Sequence, residues 1–216
     1  MSDAHGPGTS AIEPIVSPLP QDEPGPEPPR SSRLRLIILG TLLAVGLAGT
    51  AAVGTAGWRI TSQRNATLET PVQVAGLIRD DSEAAQVTGG YLRDVVAANI
   101  QLDQSMAVVY ADPADPGRKV LLFGGTTLLW QPERDLDTLV GLVGDDAGAV
   151  ADLREVPAGE QGGAMKCATA HAADGDMTIC GWADHGSIVL GLFPGRDIDD
   201  AAALLRDIRT VILIRD

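Results

Sequence analysis

The side chains best suited to chemistry in this 216-residue chain gather in its last third. His171, Asp174 and Asp176 stand close together, and an imidazole beside two carboxylates is a donor set that a divalent metal accepts. Asp and Gly at these positions are also what a hairpin turn requires, and turn chemistry is the expectation. Asp184 and His185 are adjacent, with Ser187 just beyond, so an acid, a base and a nucleophile share one short segment. A triad needs those three groups to converge from positions that let them line up, which neighbours in a tight turn do not achieve. The sequence holds no His-Glu-x-x-His, nucleophile elbow, phosphate-cradling glycine loop or calcium loop. No catalytic residue, cofactor or metal ligand is therefore assigned. The enzymatic alternative is a site assembled in space from scattered Asp and His residues.

Cys167 and Cys180 are the only cysteines. Redox-active pairs usually stand as C-x-x-C at a helix start, where the thiolate is stabilised. This wider pair reads as a structural disulfide of an exported domain. Direct cross-strand pairing of the two also sets Ala172 opposite Gly175. It leaves a four- or five-residue connection around Ala173 to Asp176, with Gly175 free to take the left-handed conformation. A two-residue Asp174-Gly175 turn would put Cys167 opposite Trp182 instead, and is disfavoured. Trp182 shares a strand face with Cys180, where its indole can pack over the disulfide. If it is exposed, Trp182 forms a candidate contact surface with Asp184 and His185.

The elements that must position these residues follow from periodicity. Val72 to Ile78 reads as a strand. A helix capped by Asp81 or Ser82 runs to about Leu102, with Leu92, Val95, Val96 and Ile100 on its apolar face. Met106 to Tyr110 and Lys119 to Phe123 read as strands around the turn-forming residues 112–117, and Thr126 to Trp130 as a third. Pro132 opens a helix that buries Leu136, Leu139, Val140 and Val143 and ends at Gly144. A weaker segment near Val150 to Val156 and a loop at Glu160 to Gly163 precede the cysteines. The strands around Cys167, Cys180 and Ile188 to Phe193 form a meander, with a second turn at His185-Gly186. A final amphipathic helix, capped by Asp197, carries Ile198, Ala201, Leu205, Ile208 and Ile212, widened by Leu204 and Val211. The fold class is α+β: a mostly antiparallel sheet packed by about three helices, spanning 72–216.

The first 33 residues hold eight of the fourteen prolines and read as a disordered cytoplasmic tail. Residues 34–58 are read as a transmembrane helix. From Leu36 to Trp58 the chain carries no charge, and a helix of that length spans about 34 Å, enough for a hydrocarbon core of about 30 Å. Arg30, Arg33 and Arg35 on its near side favour a cytoplasmic N-terminus, and Trp58 suits the outer headgroup level. The alternative is a cleaved signal peptide using the apolar stretch Leu34 to Val45. Gly40, Ala44, Ala48, Ala52 and Ala56 form a small-residue stripe, the basis for a third role as accessory subunit of a membrane complex. Residues 59–71 read as a linker. Five acids and five arginines cancel up to Asn65, leaving 24 acids against 11 bases beyond it, within a net charge of −13. An acidic, aromatic-poor outer domain repels phosphate backbones, so nucleic acid is excluded as a partner. The lipid bilayer, and another membrane or cell-envelope protein, are the partners expected.

The layout of Pro-rich tail, apolar segment and a domain ending in Cys167-x12-Cys180-x-Trp182-x-Asp184 resembles single-pass membrane proteins of Streptomyces-like actinobacteria. The fourteen Arg against two Lys fit a GC-rich source. The resemblance implies an extracytoplasmic domain and carries no activity. The expectation is a membrane-anchored binding or interaction module at the cell surface.

Overall fold

A computed structural model describes residues 37–38, 40–41, 43–45, 54–55, 57–115, 117–147, 149–172 and 175–215. The tail at 1–33 lies outside the described residues, as does most of the expected span at 34–58. Among the described residues no helix is long and apolar enough to cross a membrane. The chain divides into two compact units, Met1–Ala48 and Gly49–Asp216. The described residues of the first, all within 37–45, are helical.

The second unit is α+β. Its strands are β1 (Ala66–Leu68), β2 (Gln73–Val74), β3 (Leu77–Arg79), β4 (Gln104–Ala111), β5 (Lys119–Thr126), β6 (Ala149–Glu155), β7 (Ala164–Ala172), β8 (Gly175–Ala183), β9 (Ser187–Pro194) and β10 (Leu213–Arg215). Three helices join them: α1 (Glu83–Asn99), α2 (Pro132–Ala147) and α3 (Ile198–Ile212). Eight strands form one antiparallel sheet in the order β2-β3-β4-β5-β9-β8-β7-β6, while β1 and β10 make a separate ribbon.

Strand side chains alternate between faces, and here both faces are covered. On β7, β8 and β9, Met165, Cys167, Cys180, Trp182, Val189 and Phe193 join one core with Leu205, Ile208 and Ile212 of α3. Their sequence neighbours Ala164, Ala168, Ile179, Ala183, Ile188 and Leu190 join the other, with Leu136, Leu139 and Val140 of α2 and Val96 of α1. Burial on both sides explains why β9 reads as a continuous apolar run. At roughly 1.5–3 kcal/mol per buried large aliphatic or aromatic side chain, these two layers are the main stabilising term.

The helix caps match expectation. The Ser82 hydroxyl accepts from Ala85 N, and the Asp197 carboxylate accepts from Asp200 N. Several elements differ. The run Val72 to Ile78 is two short strands, because Ala75 and Gly76 both take positive φ (48° and 81°) and turn the chain back. The third strand at Thr126 to Trp130 does not form. β5 instead runs through Gly124-Gly125 to Thr126, paired with β4 and β9, and residues 127–131 loop out. α2 continues past Gly144 to Ala147. The linker 59–71 is partly structured: residues 57–63 are helical and β1 pairs with β10. On α3, Val211 is 44% exposed, and Arg209 takes a place on the buried face.

Candidate functional site

The disulfide is present where expected. Cys167 and Cys180 face each other across β7 and β8 with Cα atoms 4.1 Å apart, and both are fully buried. Ala172 pairs with Gly175, as direct pairing of the cysteines requires. The connection is shorter than the four or five residues expected. Regular pairing persists to the tip, so residues 173–174 alone separate the strands, and Gly175 reaches φ 121°. His171 Nδ1 lies 2.6 Å from Asp176 Oδ1 across this exposed tip, and Asp174 falls outside the described residues. Among the described residues no group of three metal-ligating side chains forms.

At the other end of β8 the chain folds its most polar residues inward. Gly181 stands just before them, where a Cβ would overlap Leu190 and press within 3.0 Å of the Val189 carbonyl oxygen and of Leu136 on α2. The strand can therefore lie flush under α2 on one face while Trp182 points to the opposite core. Trp182 and Asp184 are both at 0% exposure, so neither belongs to a contact surface; of that expected trio only His185 reaches solvent in part. The indole gains more by filling the core beneath α3 than it would at the surface, and its N–H finds a partner inside.

That partner is Ser187, whose Oγ accepts from Trp182 Nε1 at 3.1 Å and donates to Asp184 Oδ2 at 2.9 Å. Asp184 Oδ1 accepts the backbone N–H groups of Gly186 and Ser187, each at 2.9 Å, closing the turn between β8 and β9. Oδ2 also accepts Arg209 Nη2 at 2.9 Å and Arg215 Nη2 at 2.5 Å. Arg209 lies 5.4 Å from the Trp182 ring centroid, a cation–π distance, and its Nη1 donates to Ala158 O at 3.2 Å. Burial lowers the Arg209 pKa from its ordinary value, while the Asp184 charge acts in the opposite direction. His185 is turned away from Ser187, with Nδ1 2.8 Å from the Leu129 carbonyl oxygen. Asp184, His185 and Ser187 are thus neighbours whose hydrogen bonds hold a turn and a loop.

Two guanidinium groups share one carboxylate here. Among the described residues, buried Nε of Arg209 and of Arg215 and buried Oε1 of Gln161 find no hydrogen-bond partner. Arg215 and Gln161 also line a pocket of about 540 Å³ at the end of the domain where residues 58–63 arrive. Arg59, Gln63, Glu133, Glu160 and His185 line it too. The Gln63 side-chain oxygen accepts His185 N at 3.2 Å, and the Gln63 backbone packs so closely on Gly186 that a Cβ there would overlap its carbonyl oxygen. A second groove of about 430 Å³ lies between α1 and β4, lined by Arg79, Asp80, Asp81 and Arg93.

Arg209 and Arg215 are absent from the site residues that the sequence suggests. Arg209 carries a signal, a basic residue one helical turn beyond Leu205 in the apolar stripe of α3. Arg215, in a three-residue strand, carries none. No family model, curated protein or solved structure matches the chain.

Proposed function

We propose that this chain is a membrane-anchored, non-enzymatic interaction module displayed outside the cytoplasm, and that the 540 Å³ pocket where the chain joins the domain is its ligand site. The observation that carries the proposal is the lining of that pocket, where Arg215 presents a guanidinium whose Nε has no hydrogen-bond partner among the described residues. The groups resembling a catalytic set, Asp184, His185 and Ser187, are occupied in fixing the turn. Arg59 and Arg215 line the pocket together with Glu133 and Glu160, so both signs of charge face into it. Such a lining favours a ligand bearing a carboxylate or phosphate together with hydrogen-bond donors. Anchoring is supported by the uncharged run Leu36 to Trp58, which leads into residues 57–63 at the pocket mouth. Placement outside the cytoplasm is supported by the buried disulfide and by the arginines preceding that run. The resemblance to single-pass actinobacterial membrane proteins points the same way.

The test is photocrosslinking in native membranes from a probe at the exposed position 133, with position 155 on β6 as the reference. A discrete product from 133 alone, lost on Glu160→Arg, is the expected result. Identical background from both positions would refute ligand binding at this pocket. Protease added outside intact cells should reach the domain, and protection there would overturn the topology.

A further inference from the structure

We infer that Leu128 and Trp130 on the β5–α2 loop, together with Trp58, form a rim that lies on the lipid surface. The domain would then be seated against the bilayer and not carried free on its tether; this rests on the anchoring proposed above. Trp58 and Trp130 are each 70% exposed and Leu128 is 43% exposed, while Leu129 between the latter two is buried at 6%. The loop is held firmly in this pose. Thr127 N donates to Gly186 O at 3.2 Å, Leu129 N donates to His185 O at 3.2 Å, and His185 Nδ1 meets Leu129 O at 2.8 Å. The anchored Leu129 thereby forces its two large neighbours outward.

The partner is identified by where this rim sits. The turn at 184–187 that holds the loop also receives residues 63–64, so the rim and the end of the apolar segment occupy one end of the domain. A chain leaving lipid at Trp58 brings that end to the bilayer. Charge agrees. The exposed Arg59, Arg64 and Arg134 stand against Glu133, Glu160 and the half-buried Asp135, so this end is close to balance in a domain that is acidic elsewhere. Indole rings favour the headgroup level, where their apolar body and polar N–H are both satisfied.

The experiment uses the full chain reconstituted in phosphatidylcholine vesicles containing some phosphatidylglycerol. Trp58→Phe leaves Trp130 and the buried Trp182; subtracting the emission of Trp58→Phe/Trp130→Phe isolates the Trp130 component. Unchanged Trp182 emission in the double variant verifies that the fold is kept. The expected result is a blue-shifted Trp130 component, quenched by headgroup-level nitroxide lipids and shielded from iodide. If the chain survives an alkaline carbonate wash but Trp130 stays open to iodide and untouched by nitroxide lipids, the seated rim is refuted and the anchor stands. If the chain washes off, both fall. Iodide shielding without nitroxide quenching, accompanied by a crosslinked dimer, would assign the rim to a second copy and also refute the lipid contact.

Discussion

Arg209 reaches across from α3 to donate to the Asp184 carboxylate at 2.9 Å, with 1% and 0% of the two side chains open to solvent. The bond joins the last helix to the turn between β8 and β9, and it places a charge pair where water cannot screen it. Breaking such a pair from one side costs far more than the pair is worth, because the survivor stays charged and buried. Asp184→Asn should lower stability by about 3–5 kcal/mol in urea unfolding. Arg209→Met leaves Asp184 paired with Arg215 and should cost less than Arg209→Asp, which would set a second carboxylate beside it. A loss under about 1 kcal/mol for Asp184→Asn would mean that the carboxylate is not the keystone of this end.

The disulfide joins two fully buried residues of central strands. A loop of about fourteen residues closed this way contributes about 3 kcal/mol in the chain-entropy model. Cys167→Ala/Cys180→Ala should lower the unfolding free energy by about that amount and leave native circular dichroism intact. Because neither sulfur reaches solvent, reduction of the wild type by a thiol should proceed only through unfolding, so its rate should rise with urea and plateau with reductant concentration.

Gly181 and Gly186 predict different failures. Gly181→Ala presses a methyl into Leu190 and Leu136, so the cost falls on the sheet–α2 layer: about 1–3 kcal/mol of global stability. Gly186→Ala meets the Gln63 backbone instead. The expected outcome is release of the segment at 63–64, read as faster tryptic cleavage after Arg64 with a smaller change in global unfolding.

Asp80 is held well below the usual aspartate range, to about 2 from 3.8, first by its hydrogen bond with Lys119 and then by those from Ser82. A carboxylate with a depressed pKa stabilises the fold above its unfolded value and loses that contribution as pH falls toward the folded one. The stability of the wild type should therefore decline from near pH 3.8 down through about 2, and Asp80→Asn should flatten that part of the profile. A parallel decline in both proteins would remove Asp80 from the account.

The elements legible in the sequence are those governed by local rules. Ser82 and Asp197 cap their helices through their own side chains, and the Cys167–Cys180 register fixes Ala172 opposite Gly175 by arithmetic alone. The elements that escape such rules depend on distant partners. β1 exists because β10 lies beside it, nearly 150 residues away in sequence. Thr126 ends a strand instead of starting one because Ser187 is its partner on β9. Asp184, His185 and Ser187 carry signals of reactivity, yet Arg209 and Arg215 arrive from α3 and β10 to absorb the carboxylate. Residue type alone does not distinguish a buried brace from an open site.

The pairing of β1 with β10 has a mechanical side. A pull along the segment at residues 58–64 meets two fastenings in turn. It first loads the contact of Gln63 on the Gly186 turn and then the three-pair ribbon of Ala66, Thr67 and Leu68 with Arg215, Ile214 and Leu213. The segment is fastened first to the turn that ends the disulfide-bearing β8 and then to the ribbon outside the large sheet. Of the two, the three-pair ribbon is a clasp that can open without breaking any pairing of the eight-stranded sheet.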